Sequence, residues 1–182
     1  MDLRGFGRFG SRGKKRSLSY RSSDSIRQRD ECGVDMPVQW RDAMARLSMS
    51  IPATTLSELK RLARDTARRA HAPYSSFAVG AAVLGGSGRI HVGANVENAS
   101  YGLSICAERS AVFRAIAEGE RAIRAVCVYT PTAAPSTPCG ACRQVIHEFG
   151  PDALIVCCGD DDAAERRYVL SELLPEAFRL RK

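Results

Sequence analysis

The chain has 182 residues, of which 45% are hydrophobic and 26% charged, and its formal net charge is +7. This length suits one domain with an extension and is long enough to bury a hydrophobic core. No apolar stretch reaches the roughly 18 residues that a membrane-spanning helix needs, so we expect no membrane protein.

Positive charge is concentrated in residues 1–50, which hold eleven Lys and Arg against six Asp and Glu. Arg, Gly and Ser dominate this basic extension, and such a composition cannot bury enough apolar surface to offset chain entropy. We therefore expect residues 1–50 to be disordered and residues 51–182 to form the folded domain.

Three other interpretations of the extension stay open. Its Arg and Ser content suits an organelle transit segment, but its acidic residues argue against one. A basic arm could bind nucleic acid, yet no aromatic interleaving or RNA-binding module supports that function. Translation could also begin at Met44 or Met49, because organised sequence starts just after them. We favour a dispensable or over-extended tail.

The seven cysteines do not suit a disulfide framework, and no apolar core of a secretory signal peptide precedes them. Reduced thiols in a cytoplasmic protein fit better. We expect Cys127, Cys157 and Cys158 to be small buried strand residues rather than a second metal site.

The first predicted helix runs from Thr55 to Ala70. Thr55 and Glu58 match a capping box, and apolar residues recur on one helical face from Leu56 onward. Ala72-Pro73 ends the helix, because proline cannot continue it.

The later segments alternate between strand and helix patterns. Predicted strands are Phe77 to Leu84, Arg89 to Asn95, Ile123 to Thr130, Ala153 to Cys158 and Arg167 to Leu170. Predicted helices are Cys106 to Glu118, Cys139 to Gly150 and a tail from Ser171 to Phe178. An opening hairpin at 85–88 followed by alternating elements predicts an α/β fold, with a single mixed sheet of about five strands and helices on both faces.

Three cysteines lie at the starts of the two central helices. The first helix opens with Cys-Ala-Glu-Arg at 106–109, and the second with Pro-Cys-Gly-Ala-Cys-Arg at 138–143. A helix start favours thiolate over thiol, and a catalytic zinc site has three protein ligands and an open fourth position. We therefore predict that Cys106, Cys139 and Cys142 bind one zinc ion per chain.

Glu108 and Arg109 follow the first predicted ligand directly. Zinc lowers the pKa of a bound water from about 15.7 towards roughly 7, and Glu108 would take and return the proton as general base and general acid. Arg109 would hydrogen-bond the thiolates and withdraw negative charge from the metal. Each alone would be an ordinary residue on a helix surface, but the three nearby cysteines favour the functional roles.

Together these motifs resemble the homotetrameric, three-cysteine cytidine deaminases that act on free nucleosides. The likeness covers about Leu56 to Phe178, and it includes Tyr-Ser-x-Phe-x-Val-Gly-Ala-Ala at 74–82 and Gly-x-Asn-Val-Glu-Asn-Ala-Ser-Tyr at 93–101. The resemblance implies a three-layer α/β/α fold and the hydrolysis of cytidine or deoxycytidine to uridine or deoxyuridine with release of ammonia, as in pyrimidine salvage. It further implies a cytoplasmic homotetramer that requires no membrane or nucleic acid.

The same resemblance implies a set of substrate contacts. Asn95 and Glu97 look like the pair that hydrogen-bonds the ribose hydroxyl, and Ala107 would offer its backbone N–H to the base carbonyl. Phe77 resembles an aromatic residue that packs near the base, although it could equally be a core residue of a strand. Glu97 and Asn98 could instead be plain turn residues.

Two aromatic residues are implied to act between subunits. Phe178 resembles a C-terminal phenylalanine that reaches a neighbouring subunit's site, although it could instead simply pack the last helix onto the body of its own chain. Tyr101 looks like a residue contributed across the same interface. In that case the isolated monomer is nearly inactive. Arg143 and Gln144 belong to the second cysteine motif, and we expect them to support the ligands.

Two other functions compete with this one. A zinc deaminase of an aminonucleoside antibiotic or of polynucleotide cytosine could carry the same cysteines. Asn95 and Glu97 favour a simple ribose, and Cys106 stands where editing enzymes usually carry His. A non-catalytic zinc module would need a fourth ligand from the remaining cysteines or from the histidines, none of which has motif spacing. We expect His71, His91 and His147 to be structural.

Overall fold

The computed structural model describes residues 50–180. The disorder predicted for the basic extension and the alternative starts at Met44 and Met49 lie outside these residues. Along the described part of the chain, every helix is too short or too polar to cross a membrane.

The described residues fold in the order α1 (Ala53–Ala67), β1 (Gly80–Gly85), β2 (Ile90–Ala94), α2 (Ala107–Ala117), β3 (Ile123–Tyr129), α3 (Gly140–Phe149), β4 (Leu154–Cys158), β5 (Arg166–Val169) and α4 (Leu170–Leu173). The strands form one sheet in the order β2-β1-β3-β4-β5. β3 and β4 are parallel and are joined through α3, whereas every other neighbouring pair is antiparallel. The predicted mixed sheet of five strands is thus confirmed.

Two hydrophobic clusters cover the two faces of this sheet. In β1 the side chains of Ala81 and Val83 join the cluster beneath α2 and α3, while Ala82 and Leu84 join the cluster beneath α1. Alternate strand residues point to opposite faces, and all four of these side chains are at most 2% exposed. The fold is therefore three-layered, with helices on both faces as predicted.

Two glycines allow the helices to approach the sheet closely. A Cβ atom on Gly93 of β2 would lie 2.3 Å from the backbone nitrogen of Ala111 in α2. A Cβ atom on Gly80 of β1 would lie 2.0 Å from the carbonyl oxygen of Ala63 in α1. Any larger residue would push a helix off its face, and at Gly93 that helix carries the first cysteine motif.

Among residues 50–180, the three cysteines outside the two motifs are buried in the central strands, as predicted. Cys127 lies in β3, and Cys157 and Cys158 lie in β4, all with 3% exposure or less. The sulfurs of Cys127 and Cys158 are 3.5 Å apart on the α1 face, whereas Cys157 packs on the opposite face. They behave as small apolar residues of the core.

The predicted boundaries of the first helix were wrong at both ends. The helix begins at Ala53 after Pro52, and no side chain caps it, so the capping box at Thr55 does not form. The fixed φ of proline lets Pro52 start the helix early, and Thr55 then falls within the first turn. The helix ends at Ala67, because the next residues make tighter turn bonds such as Ala70 N to Ala67 O at 3.0 Å.

The strand predicted to open at Phe77 begins instead at Gly80. The side chain of Asn95 takes the backbone groups that a strand partner would use: it accepts from Val79 N at 2.8 Å and donates to Phe77 O at 2.9 Å. Phe77 therefore lies on an irregular segment before the strand. The extended helical tail was also wrong, since α4 ends at Leu173, just before Leu174-Pro175.

A buried carboxylate fastens the β1–β2 hairpin to the end of α2. Glu120 is 3% exposed, accepts from Ser87 N at 3.1 Å and from Arg89 Nε at 3.3 Å, and also bonds the Ser87 hydroxyl. His91 Nε2 lies 3.5 Å from the same carboxylate. The hydrogen bonds from Ser87 and His91, with the charge of Arg89, lower the pKa of Glu120 to about 2.

We expect Glu120→Gln to lower the melting temperature at pH 7, because it removes the charge that these donors stabilise. A carboxyl group has an unfolded pKa of about 4.3. Since folding lowers the pKa of Glu120, its contribution is complete above that value and disappears as the pH falls towards about 2. The melting temperatures of the two proteins should therefore converge between pH 5 and pH 2 in a calorimetric series. A constant difference across that range would contradict the prediction.

Candidate active site

Three thiols converge above the carboxyl end of the central strands. The sulfur of Cys139 lies 3.9 Å from that of Cys106 and 3.5 Å from that of Cys142, and all three sulfurs lie within 4.8 Å of one another. With Zn–S bonds of about 2.3 Å, two sulfurs of a tetrahedral site are roughly 3.8 Å apart. The donor set and its spacing therefore fit zinc.

Local folding explains how the three sulfurs meet. Cys106 is the N-cap of α2 and Cys139 is the N-cap of α3, so both sulfurs sit at positive helix ends. Cys142 follows one turn into α3 and therefore points the same way as Cys139. The chain reaches Cys106 from β2 and Cys139 from β3, so the sheet sets the distance between the two helix starts.

Arg109 lies against the thiol cluster and its supporting loop. Its guanidinium donates to the sulfur of Cys106 at 3.6 Å and to the carbonyl oxygen of Ser104 at 3.1 Å. Hydrogen bonds from Cys142, Arg109 and Cys139 lower the pKa of Cys106 to about 5. A hydrogen bond with Cys106, together with burial, raises the pKa of Cys142.

Glu108 is buried beside the cysteines without belonging to their cluster. It lies in the first turn of α2, its side chain is 5% exposed, and burial raises the pKa of its carboxyl group. A carboxyl group that holds a proton more tightly than usual is suited to proton transfer near neutral pH.

A cavity of about 410 Å³ opens in front of the thiols. Seven of the residues predicted to serve the site line it: Phe77, Asn95, Glu97, Cys106, Ala107, Glu108 and Cys139. Ala107 is the first residue of α2, where the N–H groups have no acceptor within the helix. Cys139 closes another side. The cavity is thus lined by the aromatic ring of Phe77, by backbone N–H groups at the start of α2 and by the buried carboxyl group of Glu108.

Asn95 and Glu97 hold the opposite wall of the cavity. Glu97 accepts from the backbone N–H of Tyr74 at 2.8 Å and also bonds the hydroxyl of Ser75. These hydrogen bonds lower the pKa of Glu97, so it is anionic at neutral pH. The side chain of Asn95 holds residues 77–79 through its hydrogen bonds to Val79 N and Phe77 O. Both side chains therefore form part of the cavity wall, where they were predicted to contact the ribose.

Tyr101 and Phe178 lie outside this cavity. Tyr101 is 74% exposed and touches Tyr74 edge-on at 5.9 Å between ring centroids. Phe178 is 69% exposed and borders a different surface depression, where its carbonyl oxygen accepts from Gln144. Neither side chain reaches the thiols of its own chain.

Several cavity residues were not predicted from the sequence. Thr130, at the carboxyl end of β3, lines the cavity with Ser136 and Thr137, and its hydroxyl accepts from Ser136 N at 3.2 Å. Their position just after a strand could have indicated a role in the site, because sites of open α/β sheets lie beyond the carboxyl ends of strands.

Arg143 was expected to support the ligands. It donates to Pro138 O at 2.7 Å and so holds the loop that precedes Cys139.

The described residues offer no fourth ligand to the thiol cluster. Within residues 50–180, the group of His, Cys, Asp and Glu side chains able to hold a metal contains the three cysteines alone. His91 is buried against Glu118 and Glu120, and His147 accepts from Arg179 at 2.7 Å. A closed structural zinc site with a fourth protein ligand is therefore not supported.

A mixed sheet between helices, with three thiols at two helix starts and a buried glutamic acid beside them, defines a zinc-dependent deaminase of nucleobases. The family model described as the cytidine and deoxycytidylate deaminase zinc-binding region matches residues 53–158. The chain belongs to this cytidine and deoxycytidylate deaminase family.

Similar proteins agree with this assignment. The cytidine deaminase of Halalkalibacterium halodurans is 50% identical over 109 residues, which are 60% of this chain and 83% of the relative. The cytidine deaminase of Mycobacterium tuberculosis is 40% identical over 130 residues, or 71% of this chain and 94% of the relative. The crystal structure of cytidine deaminase from Burkholderia pseudomallei superposes with a TM-score of 0.64 at 44% identity, covering 67% of this chain and 98% of that one.

We expect Cys139→Ala to reduce bound zinc from about one ion per chain to a small fraction, because two sulfurs alone bind zinc weakly. Cys139 is exposed, so its loss leaves no core cavity. Metal content is measured by atomic emission after purification in zinc-replete medium. Cys127→Ala is the control, since Cys127 is buried in β3 on the α1 face, opposite to the face that carries α2 and α3, and it should keep its zinc. Equal zinc in both variants would contradict the assignment of the ligands.

Proposed function

We propose that this protein is a zinc-dependent hydrolase that deaminates free cytidine and deoxycytidine to uridine and deoxyuridine with release of ammonia, in pyrimidine salvage. The main support for this proposal is that three thiols lie together at a cavity that is also lined by the buried Glu108. Its relatives are named cytidine deaminases. The proposal assigns residues 51–182 to the catalytic domain.

The metal centre of the proposal is one zinc ion held by Cys106, Cys139 and Cys142. When bound, zinc would lower the pKa of a water molecule towards neutral pH. Arg109 draws negative charge away from Cys106, because three thiolates would otherwise leave the centre anionic. A cytoplasmic location belongs to the proposal, since the three thiols have to stay reduced to serve as ligands.

Glu108 moves the protons of the reaction. Its burial and raised pKa suit it to take a first proton from water and pass it to the ring nitrogen of cytosine. It would then take a second proton from the hydroxyl group added to the ring carbon and pass it to the amino group, which leaves as ammonia while the carbonyl of uridine forms. Ala107 presents its backbone N–H to the base carbonyl from the start of α2. Phe77 covers the base from the opposite side of the cavity.

Asn95 and Glu97 recognise the sugar in this proposal. Both line the cavity, and each has acceptor capacity left beyond the hydrogen bonds it makes to residues 74–79. The anionic Glu97 accepts from a ribose hydroxyl and repels a phosphate group. A free nucleoside is therefore favoured over a nucleotide or a polynucleotide. An aminonucleoside antibiotic would have to place a larger sugar against the same two side chains.

We also propose a homotetramer whose subunits complete one another's sites. Tyr101 and Phe178 are large, exposed and absent from the cavity of their own chain. Exposed aromatic residues of this size are typical of interfaces. A neighbouring subunit that brought Phe178 to the cavity mouth would close it against water.

The proposed reaction is tested by Glu108→Gln, which we expect to lower kcat for cytidine on the order of 10²–10⁴-fold. Glu108 is not a predicted ligand, so zinc content should remain near one ion per chain. Uridine formation is followed by ultraviolet absorbance on zinc-quantified protein. Wild type is offered cytidine, a single-stranded oligonucleotide and an aminonucleoside antibiotic in parallel. A retained rate in the variant would overturn the role of Glu108, and preference for either other substrate would overturn the substrate assignment.

Sharing of sites between subunits is tested with Phe178→Ala. If Phe178 is buried against a neighbouring subunit's cavity in the tetramer, loss of that contact should reduce activity by roughly tenfold to a hundredfold. Mixed oligomers of the Phe178→Ala and Glu108→Gln chains should recover activity, because a site with a native Glu108 can then receive a native Phe178 from its neighbour. Mixtures no more active than the Phe178→Ala protein would show that Phe178 does not act between subunits.

A further inference from the structure

An apolar groove lies at the end of the sheet that is opposite to the thiols. It is formed where β3 and β4 begin, and it is lined mainly by apolar side chains, namely Ile51, Ala122, Ile123, Phe149, Pro151 and Ala153. Its volume of about 280 Å³ exceeds the roughly 150 Å³ of a protein cavity that binds benzene. The groove is therefore large enough for an aromatic side chain.

The chain enters the described structure at the edge of this groove. Ser50 lines the groove itself, and its carbonyl oxygen accepts from the guanidinium of Arg124 at 3.1 Å. Whatever precedes Ser50 must therefore begin beside the groove. The residues directly before Ser50 can reach its apolar floor without a long connection.

The composition of the basic extension changes at residue 36. Residues 1–35 contain nine hydrophobic residues, whereas the fourteen residues 36–49 contain eight. Five of the eight recur at the spacing of one helical face, namely Met36, Trp40, Ala43, Met44 and Leu47. The charged residues Arg41, Asp42 and Arg46 fall on the other side, together with Val38, Ala45 and Met49. Pro37 is tolerated in a first helical turn. The sequence of this segment predicts an amphipathic helix that needs an apolar partner.

We infer that residues 36–49 dock as a helix on the groove of their own chain, with Trp40 and its apolar neighbours against Phe149 and Pro151. Charges at the rim suit this occupant, because Asp152 and Arg124 border the groove and the segment carries Arg41, Asp42 and Arg46. The predicted disorder then applies to residues 1–35. Docking occurs away from the thiol cluster, so it is independent of the proposed function.

Trp40 is the single tryptophan of the chain, so its fluorescence reports on this segment directly. In the full-length protein we expect an emission maximum blue-shifted from that in denaturant, together with loss of most acrylamide quenching. Ala43→Asp, on the apolar face, should shift the emission back to red and restore quenching. Ala45→Asp, the same change on the opposite face, should leave both signals at their wild-type values.

A second pair of variants tests the groove side. Ala122→Glu places a charge in the groove and should release Trp40, whereas Ala163→Glu, at an exposed alanine near the other end of the sheet, should not. Circular dichroism confirms that each variant is folded. Emission in native wild type equal to that in denaturant, or equal effects of the two Asp variants, would overturn the inference. A blue shift that vanishes on dilution would also overturn it, because a second copy would then be the occupant.

Discussion

The structure depends on two helix starts held side by side over the carboxyl end of one sheet. Cys106 and Cys139 are the N-caps of these helices, so their sulfurs meet at 3.9 Å in a region of positive helix potential. Without that potential and the Arg109 guanidinium, gathering thiolates so closely would be strongly unfavourable. The close contact at Gly93 fixes the height of the first helix above the sheet, and thereby the position of Cys106.

Features with a local physical cause could be predicted from the sequence. The pair Cys139 and Cys142 stands at i and i+3, which brings both sulfurs to one side of a helix wherever that helix lies. Strand burial of Cys127 and Cys157 was also predicted, because free cysteine behaves as a small apolar residue. The mixed five-stranded sheet followed from an opening hairpin and the later alternation of strands and helices.

Features set by contacts between distant segments could not be predicted. Asn95 replaces the strand partner of residues 77–79 with its own amide, and no periodicity reveals that substitution. The early start of α1 is set by Pro52 rather than by the better capping residue Thr55. Thr130 enters the cavity because β3 ends there, which only the three-dimensional order of the strands makes visible.

The parallel pair β3 and β4 gives the molecule two unlike ends. At the carboxyl end the loops after the strands can diverge, and polar groups such as Thr130 and the start of α3 face an open cavity. At the amino end the chain turns tightly into the strands, as at Gly150, where a Cβ atom would lie 2.4 Å from the carbonyl oxygen of Ile123. That packing leaves a largely apolar groove at this end, lined by side chains such as Ile51 and Phe149.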